Sequence, residues 1–116
     1  MIKMLPVTEE AELKEICKSY EGASAFRVYD GEEVKGVCIY KMNIEKEKIN
    51  ILEFSSENSF YSNLLIRAVF NAADLKGVRR AEFSENSKKS ASEVVDCEKY
   101  LTNDIQELFF GCKNCL

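Results

Sequence analysis

Apolar and polar positions along this chain follow two different periods, and the switches between them divide it into elements. Met1 to Val7 predicts a first strand, stopped by Pro6 and the polar run behind it. Thr8 is placed to cap a helix, and Glu9 and Glu10 suit its positive end. Leu13, Ile16, Cys17 and Tyr20 then form one apolar stripe, and Glu21-Gly22 ends the helix. Ala25 to Tyr29 reads as a strand, Asp30-Gly31 as a turn, and Val34 to Met42 as the returning strand. Val37-Cys38-Ile39-Tyr40 is apolar on both faces, which predicts a central strand covered from both sides. Asn43 to Glu47 is a polar connection to a third strand of this antiparallel meander, Lys48 to Phe54.

A short turn, Ser55 to Ser59, leads into a helix from about Phe60 to Lys76. Asn63, Arg67, Asn71 and Asp74 make a narrow polar stripe on it, and nearly everything else is apolar. So thin a wet face predicts a mostly buried helix packed on the sheet. Gly77 stops it, and Val78 to Ser84 follows as a strand, parallel to Lys48–Phe54 if the helix is a crossover. Glu85 to Ser92 is rich in Ser and Lys and reads as a loop. No period decides Glu93 to Leu101. Thr102 or Asn103 can cap a short helix through Phe110, with Gly111 behind it. Residues 1–116 show no internal repeat and no linker, and read as a single domain whose 85–116 part is the least regular.

Composition narrows the function classes. The chain has 116 residues and 13.2 kDa, with 46% hydrophobic and 31% charged residues, an ordinary soluble globular mixture. A net charge of −4 argues against a nucleic-acid partner, which requires clustered Lys and Arg. The N-terminus does not read as a signal peptide and no apolar run is long enough for a membrane span, so the expected location is the cytosol. The chain has no histidine, which excludes Ser-His-Asp and Cys-His nucleophile pairs and His-ligated metals. An acid or base must be Asp, Glu, Cys, Tyr or Lys.

The five cysteines are Cys17, Cys38, Cys97, Cys112 and Cys115. Cys17 and Cys38 fall on apolar faces and read as small buried hydrophobes. Cys112-Lys113-Asn114-Cys115 offers half of a tetrahedral zinc site, or a redox pair. Asp96 and Cys97 complete a metal site only if the fold brings them near. The plainer expectation is loose thiols behind a tail helix docked by Leu108 and Phe109, with no metal.

The element order is strand, helix, three-strand meander, buried helix, parallel strand. It describes an α/β (α+β) domain with a mixed, mostly antiparallel sheet flanked by helices. Residues 1 to 86 resemble the GNAT (Gcn5-related N-acetyltransferase) superfamily. The likeness rests on Asp30-Gly31 before Val34-Lys35-Gly36-Val37-Cys38-Ile39-Tyr40, on the Ile49–Phe54 strand, and on the Phe60–Lys76 helix ended by Gly77. Arg79-Arg80-Ala81-Glu82-Phe83-Ser84-Glu85-Asn86 completes it, since a similar strand in the family often ends near an asparagine. The resemblance implies acetyl-CoA as acyl donor, an amine as acceptor, and a coenzyme site where the two parallel strands splay apart.

On that likeness the coenzyme residues are Phe54, Ser55, Ser56, Asn58, Ser59 and Asn86. Glu53 is the base, which burial in an apolar strand would tune for the task, and Tyr100 is the acid. The family holds the pyrophosphate on a loop patterned Arg/Gln-x-x-Gly-x-Gly/Ala, whose glycines let the backbone approach. Glu57-Asn58-Ser59-Phe60-Tyr61-Ser62 has neither the basic residue nor the glycines, and Tyr100 lies fourteen residues beyond Asn86.

A plainer reading stands beside each assignment. Glu53 pairs with Arg27, Arg67 or Arg80 or faces solvent; Ser56 or Asn58 caps the helix; and Glu57 complements its dipole. A GNAT-like fold with a degenerate loop and a shortened C-terminus is also compatible with a non-catalytic interaction protein that does not bind CoA. Such a protein would bury the apolar surface of Phe60–Phe70 in a homodimer.

Overall fold

The computed structural model describes residues 1–91. Tyr100, Cys97, Cys112, Cys115 and the helix expected before Gly111 lie outside the described residues. The order of elements is β1 (Ile2–Pro6), α1 (Glu10–Ile16), β2 (Ser24–Asp30), β3 (Glu33–Asn43), β4 (Lys48–Ser56), α2 (Ser59–Leu75), β5 (Arg80–Phe83) and α3 (Glu85–Ala91). The described strands form one sheet in the order β1-β2-β3-β4-β5, and among them only β4 and β5 run parallel. This is the mixed, mostly antiparallel sheet the apolar pattern predicts.

Two apolar layers cover it. On one face α2 sinks Leu65, Ile66, Val69, Phe70 and Ala73 against residues including Val28, Cys38, Ile49, Ile51 and Phe54. On the other, Cys17, Ala23, Ala25 and Ile39 form a smaller cluster beneath α1, flanked by Leu13, Ile16 and Leu52. Along β3, Cys38 and Tyr40 face α2 while Val37 and Ile39 face α1, so the strand is covered on both sides as expected. Cys17 and Cys38 are both buried free thiols. Burial pushes the Cys38 thiol far above its ordinary range.

Three local expectations differ. Glu9, not Thr8, stands at the α1 N-cap and makes no side-chain capping bond. The first-turn acids Glu10 and Glu12 supply the dipole complement instead. On α2, Asn71 is exposed while Asn63, Arg67 and Asp74 are half-buried. The exposed apolar side chains lie at its ends, with Phe60 57% and Leu75 79% exposed. The Ser- and Lys-rich stretch after β5 is helix α3 rather than a loop. Ser84 starts it, its Oγ accepting from Ser87 N at 3.2 Å and its carbonyl from Lys88 N at 2.9 Å.

β3 and β4 approach closely at Gly36, opposite Ser56. A Cβ there would lie 2.9 Å from Ser56 Cβ, 3.0 Å from the Ser55 carbonyl oxygen and 3.0 Å from Val28 Cγ1. Gly36→Ala is therefore expected to lower stability by roughly 1–3 kcal/mol, as overpacking does. Thermal denaturation checks this, and an unchanged midpoint would mean that the two strands separate freely.

Candidate functional site

The site is built where β4 parts from its parallel neighbour. Pairing between β4 and β5 runs from Lys48–Arg80 to Ile51–Phe83 and stops, while β4 continues to Ser56. At the parting point the chain after β5 is pinned to β4 by one backbone amide and two hydroxyls. Ser84 N donates to the Ile51 carbonyl at 2.9 Å, Ser87 Oγ donates to the same oxygen at 2.9 Å, and Ser84 Oγ donates to the Leu52 carbonyl at 2.6 Å. Ser87 is fully buried in doing so. Beyond Leu52 the backbone edge of β4 is free of β5.

One residue later β4 bulges. Tyr40 stands opposite Ile51 and Ile39 opposite Glu53, so Leu52 is the extra residue. Ile49 and Ile51 point into the α2 layer, and regular alternation would send Glu53 after them. The bulge shifts the phase, so Phe54 takes the place in the α2 layer. Leu52 and Glu53 both turn to the α1 face, where Leu52 packs with Ile39. Glu53 is exposed there, which corrects the burial expected of it. It lies close enough to Cys17 to add to the upward push that burial gives that thiol. Of its expected ion-pair partners, Arg27 reaches Glu12 at 3.3 Å and Tyr29, Arg67 meets Asn63 at 3.0 Å, and Arg80 donates to the Lys46 carbonyl at 2.9 Å.

Past the bulge, the turn into α2 is closed by its own side chains. Ser56 Oγ donates to the Asn58 carbonyl at 2.7 Å and accepts from Ser62 Oγ. Asn58 Oδ1 accepts from Tyr61 N at 3.1 Å, the cap expected of it. Glu57 N donates to the Lys35 carbonyl at 2.9 Å. The Lys35 ammonium sits between Glu33 at 2.8 Å and Glu57 at 3.0 Å, and bonds to these carboxylates hold its pKa well above normal. Tyr61 donates its hydroxyl to Asp30 at 2.9 Å, a bond that raises its own pKa.

The same arrangement of strands and helices occurs in solved acetyltransferases. An IAA acetyltransferase from Bacillus cereus superposes with a TM-score of 0.60 at 14% identity, covering 80% of this chain and 72% of its own. An acetyltransferase from Bacillus subtilis in complex with CoA gives 0.58 at 17% identity, covering 80% and 74%. A GNAT family acetyltransferase from Elizabethkingia anophelis with acetyl-CoA bound gives 0.59 at 16%, covering 79% and 71%. This chain has the GNAT fold. No family sequence model and no curated protein sequence matches it.

Within the GNAT fold the predicted residues fall into two groups. Phe54, Ser55, Ser56, Asn58 and Ser59 lie together where β4 runs into α2, and Glu53 adjoins them on the α1 face. Phe54 itself is buried under α2, and Ser56 and Asn58 are engaged in the turn. Asn86 is exposed on α3, which packs against β4. Lys35, Ser84 and Ser87 hold together the elements around this candidate site, and sequence reasoning missed them. The Ser84-x-x-Ser87 spacing at a strand end was the available signal, since it is a helix start. Among the described residues no group of three or more Cys, Asp or Glu could hold a metal, and no helix is long and apolar enough to cross a membrane.

Proposed function

We propose that the chain is an acyl-CoA-dependent N-acyltransferase that uses acetyl-CoA as donor and an amine as acceptor. The observation that carries the proposal is the parting of β4 from β5 at Ile51–Phe83, immediately before a bulge that turns a carboxylate outward. A pantetheine arm carries amides, and amides need only backbone partners. The edge of β4 from Leu52 to Ser56, through Phe54 and Ser55, supplies them without particular side chains. The pyrophosphate would lie toward Ser56, Asn58 and Ser59 at the α2 N-terminus, with Asn86 on the α3 side.

The chemistry needs one base and one acid. The amine nitrogen attacks the thioester carbonyl, a C–N bond forms and the C–S bond breaks. Glu53 takes the proton the ammonium must lose, and the leaving thiolate is protonated by an acid, the role assigned to Tyr100. Exposure suits Glu53 to receive protons from an incoming ammonium and release them to water.

A second reading, an interaction protein of this fold that binds no coenzyme, is favoured by Glu57. Its carboxylate stands beside the α2 N-terminus, tied to Lys35, where a phosphate would need positive charge. Calorimetry of the reduced, chelator-treated protein with acetyl-CoA, alongside a melting scan, separates the two. At a hundredfold excess over Kd a true site adds about 2.7 kcal/mol, a rise on the order of ten degrees in the melting temperature. Absence of heat and of any shift at millimolar acetyl-CoA removes the acyltransferase reading.

A further inference from the structure

The α1 face of β4 carries a row of side chains that the proposed transfer does not use. Alternation along the strand puts Asn50 on the same face as Leu52 and Glu53, since Ile49 and Ile51 point the other way. Asn50 stands opposite Glu82 of β5, and the two residues line a cleft of about 270 Å³ with Leu52 and Ser84. Glu82 holds Lys48 at 3.0 Å through Oε2. Asn50 Oδ1 is buried and has no hydrogen-bond partner among the described residues. A buried acceptor without a donor is costly, on the order of 1–3 kcal/mol, and is uncommon in a native fold.

Read along the strand, the order is an orphaned carbonyl oxygen, an apolar side chain and a carboxylate. Asn50 and Glu53 are three residues apart, roughly 10 Å at strand rise. That row matches an aminoalkyl chain carrying N–H donors at both ends, its methylenes lying over Leu52. Glu82, which also pairs with Lys48, adds a carboxylate at the Asn50 end. Lys41, the β3 partner of Asn50, is exposed.

We propose that Asn50 is a specificity-determining residue for the acceptor. A turn about its soft terminal torsion presents Oδ1 to the cleft, where it takes a second N–H group of the ligand when the reacting amine sits at Glu53, so the preferred acceptor is a primary amine with a second N–H donor about three strand residues away. This rests on the acyltransferase reading for its purpose but not for its test, which uses no coenzyme.

The probe is hexamethylenediamine, whose six-methylene chain is roughly this length, with hexylamine as the control carrying one nitrogen. Binding to the full chain is followed by calorimetry and by the side-chain amide resonances of isotope-labelled protein. The diamine is expected to bind about tenfold more tightly than the monoamine, the scale of one hydrogen bond to a buried acceptor, and to shift the Asn50 amide. Asn50→Leu should abolish that advantage and Asn50→Asp restore it, with hexylamine unaffected by either. Equal affinities of the wild-type protein for the two probes, or a diamine advantage that survives Asn50→Leu, would overturn the proposal. Should Asn50→Leu fail to fold, the wild-type comparison and the Asn50 resonance decide it. Diamine binding without acetyl-CoA binding would sink the acyltransferase reading and leave the cleft standing.

Discussion

Glu53→Gln is expected to cut the rate of amine acetylation by roughly 10²–10⁴-fold, the contribution of a positioned base. The substitution keeps the size and polarity of the side chain and removes only its capacity to take a proton. Because the residue is exposed on the α1 face, no packing is disturbed and the melting temperature should not move. Acetyl-CoA affinity should also stand, since the proposed donor contacts are backbone groups of β4. The informative result is therefore a split, with turnover lost and binding and stability kept. Unchanged turnover with any accepted amine would remove Glu53 from the mechanism. Loss of stability instead would mean that the bulge depends on this carboxylate.

Phe70→Ala is expected to cost roughly 3–5 kcal/mol. Phe70 is fully buried at the centre of the α2 layer, its ring meeting that of Phe83 edge-on at 6.2 Å and 84°. Its removal leaves a hole that the surrounding core cannot fill without moving. A domain of this size holds roughly 5–15 kcal/mol in all, so the variant should melt on the order of ten to twenty degrees lower. Phe83 belongs to the last pair before β4 and β5 part. A loosened Phe83 would therefore weaken coenzyme binding as well as the fold. A denaturant midpoint within experimental error of the parent would mean that the α2 layer repacks, and that Phe70 does not hold the helix to the sheet.

The sheet was legible in the sequence because burial leaves a mark. Val37 to Tyr40 is apolar at every position, and only a strand covered on both faces needs that. α2 was legible from its 3.6-residue stripe and from Asn58, whose cap is a local side-chain property. The direction of Glu53 was not legible. Ile49, Ile51 and Glu53 share a parity, and nothing in their identities marks Leu52 as an extra residue. The bulge follows from how β3 pairs with β4, a long-range fact. α3 was missed because Ser and Lys serve loops and exposed helices equally well. The role of Lys35 was missed because its partners, Glu33 and Glu57, are two and twenty-two residues away and meet only once β3 and β4 are joined.

The extra residue at Leu52 also fixes how this strand can change over generations. Before it, the odd-numbered residues Ile49 and Ile51 face α2; after it, the even-numbered Phe54 and Ser56 do. Deleting Leu52 would restore an unbroken rhythm and leave Glu53 on the α1 face and Phe54 in the α2 layer. Straightening the strand with every residue kept would instead send the carboxylate into the apolar layer and Phe54 out of it. This segment can therefore lose one residue at Leu52 and keep both of its faces, but it cannot lose its kink at its present length.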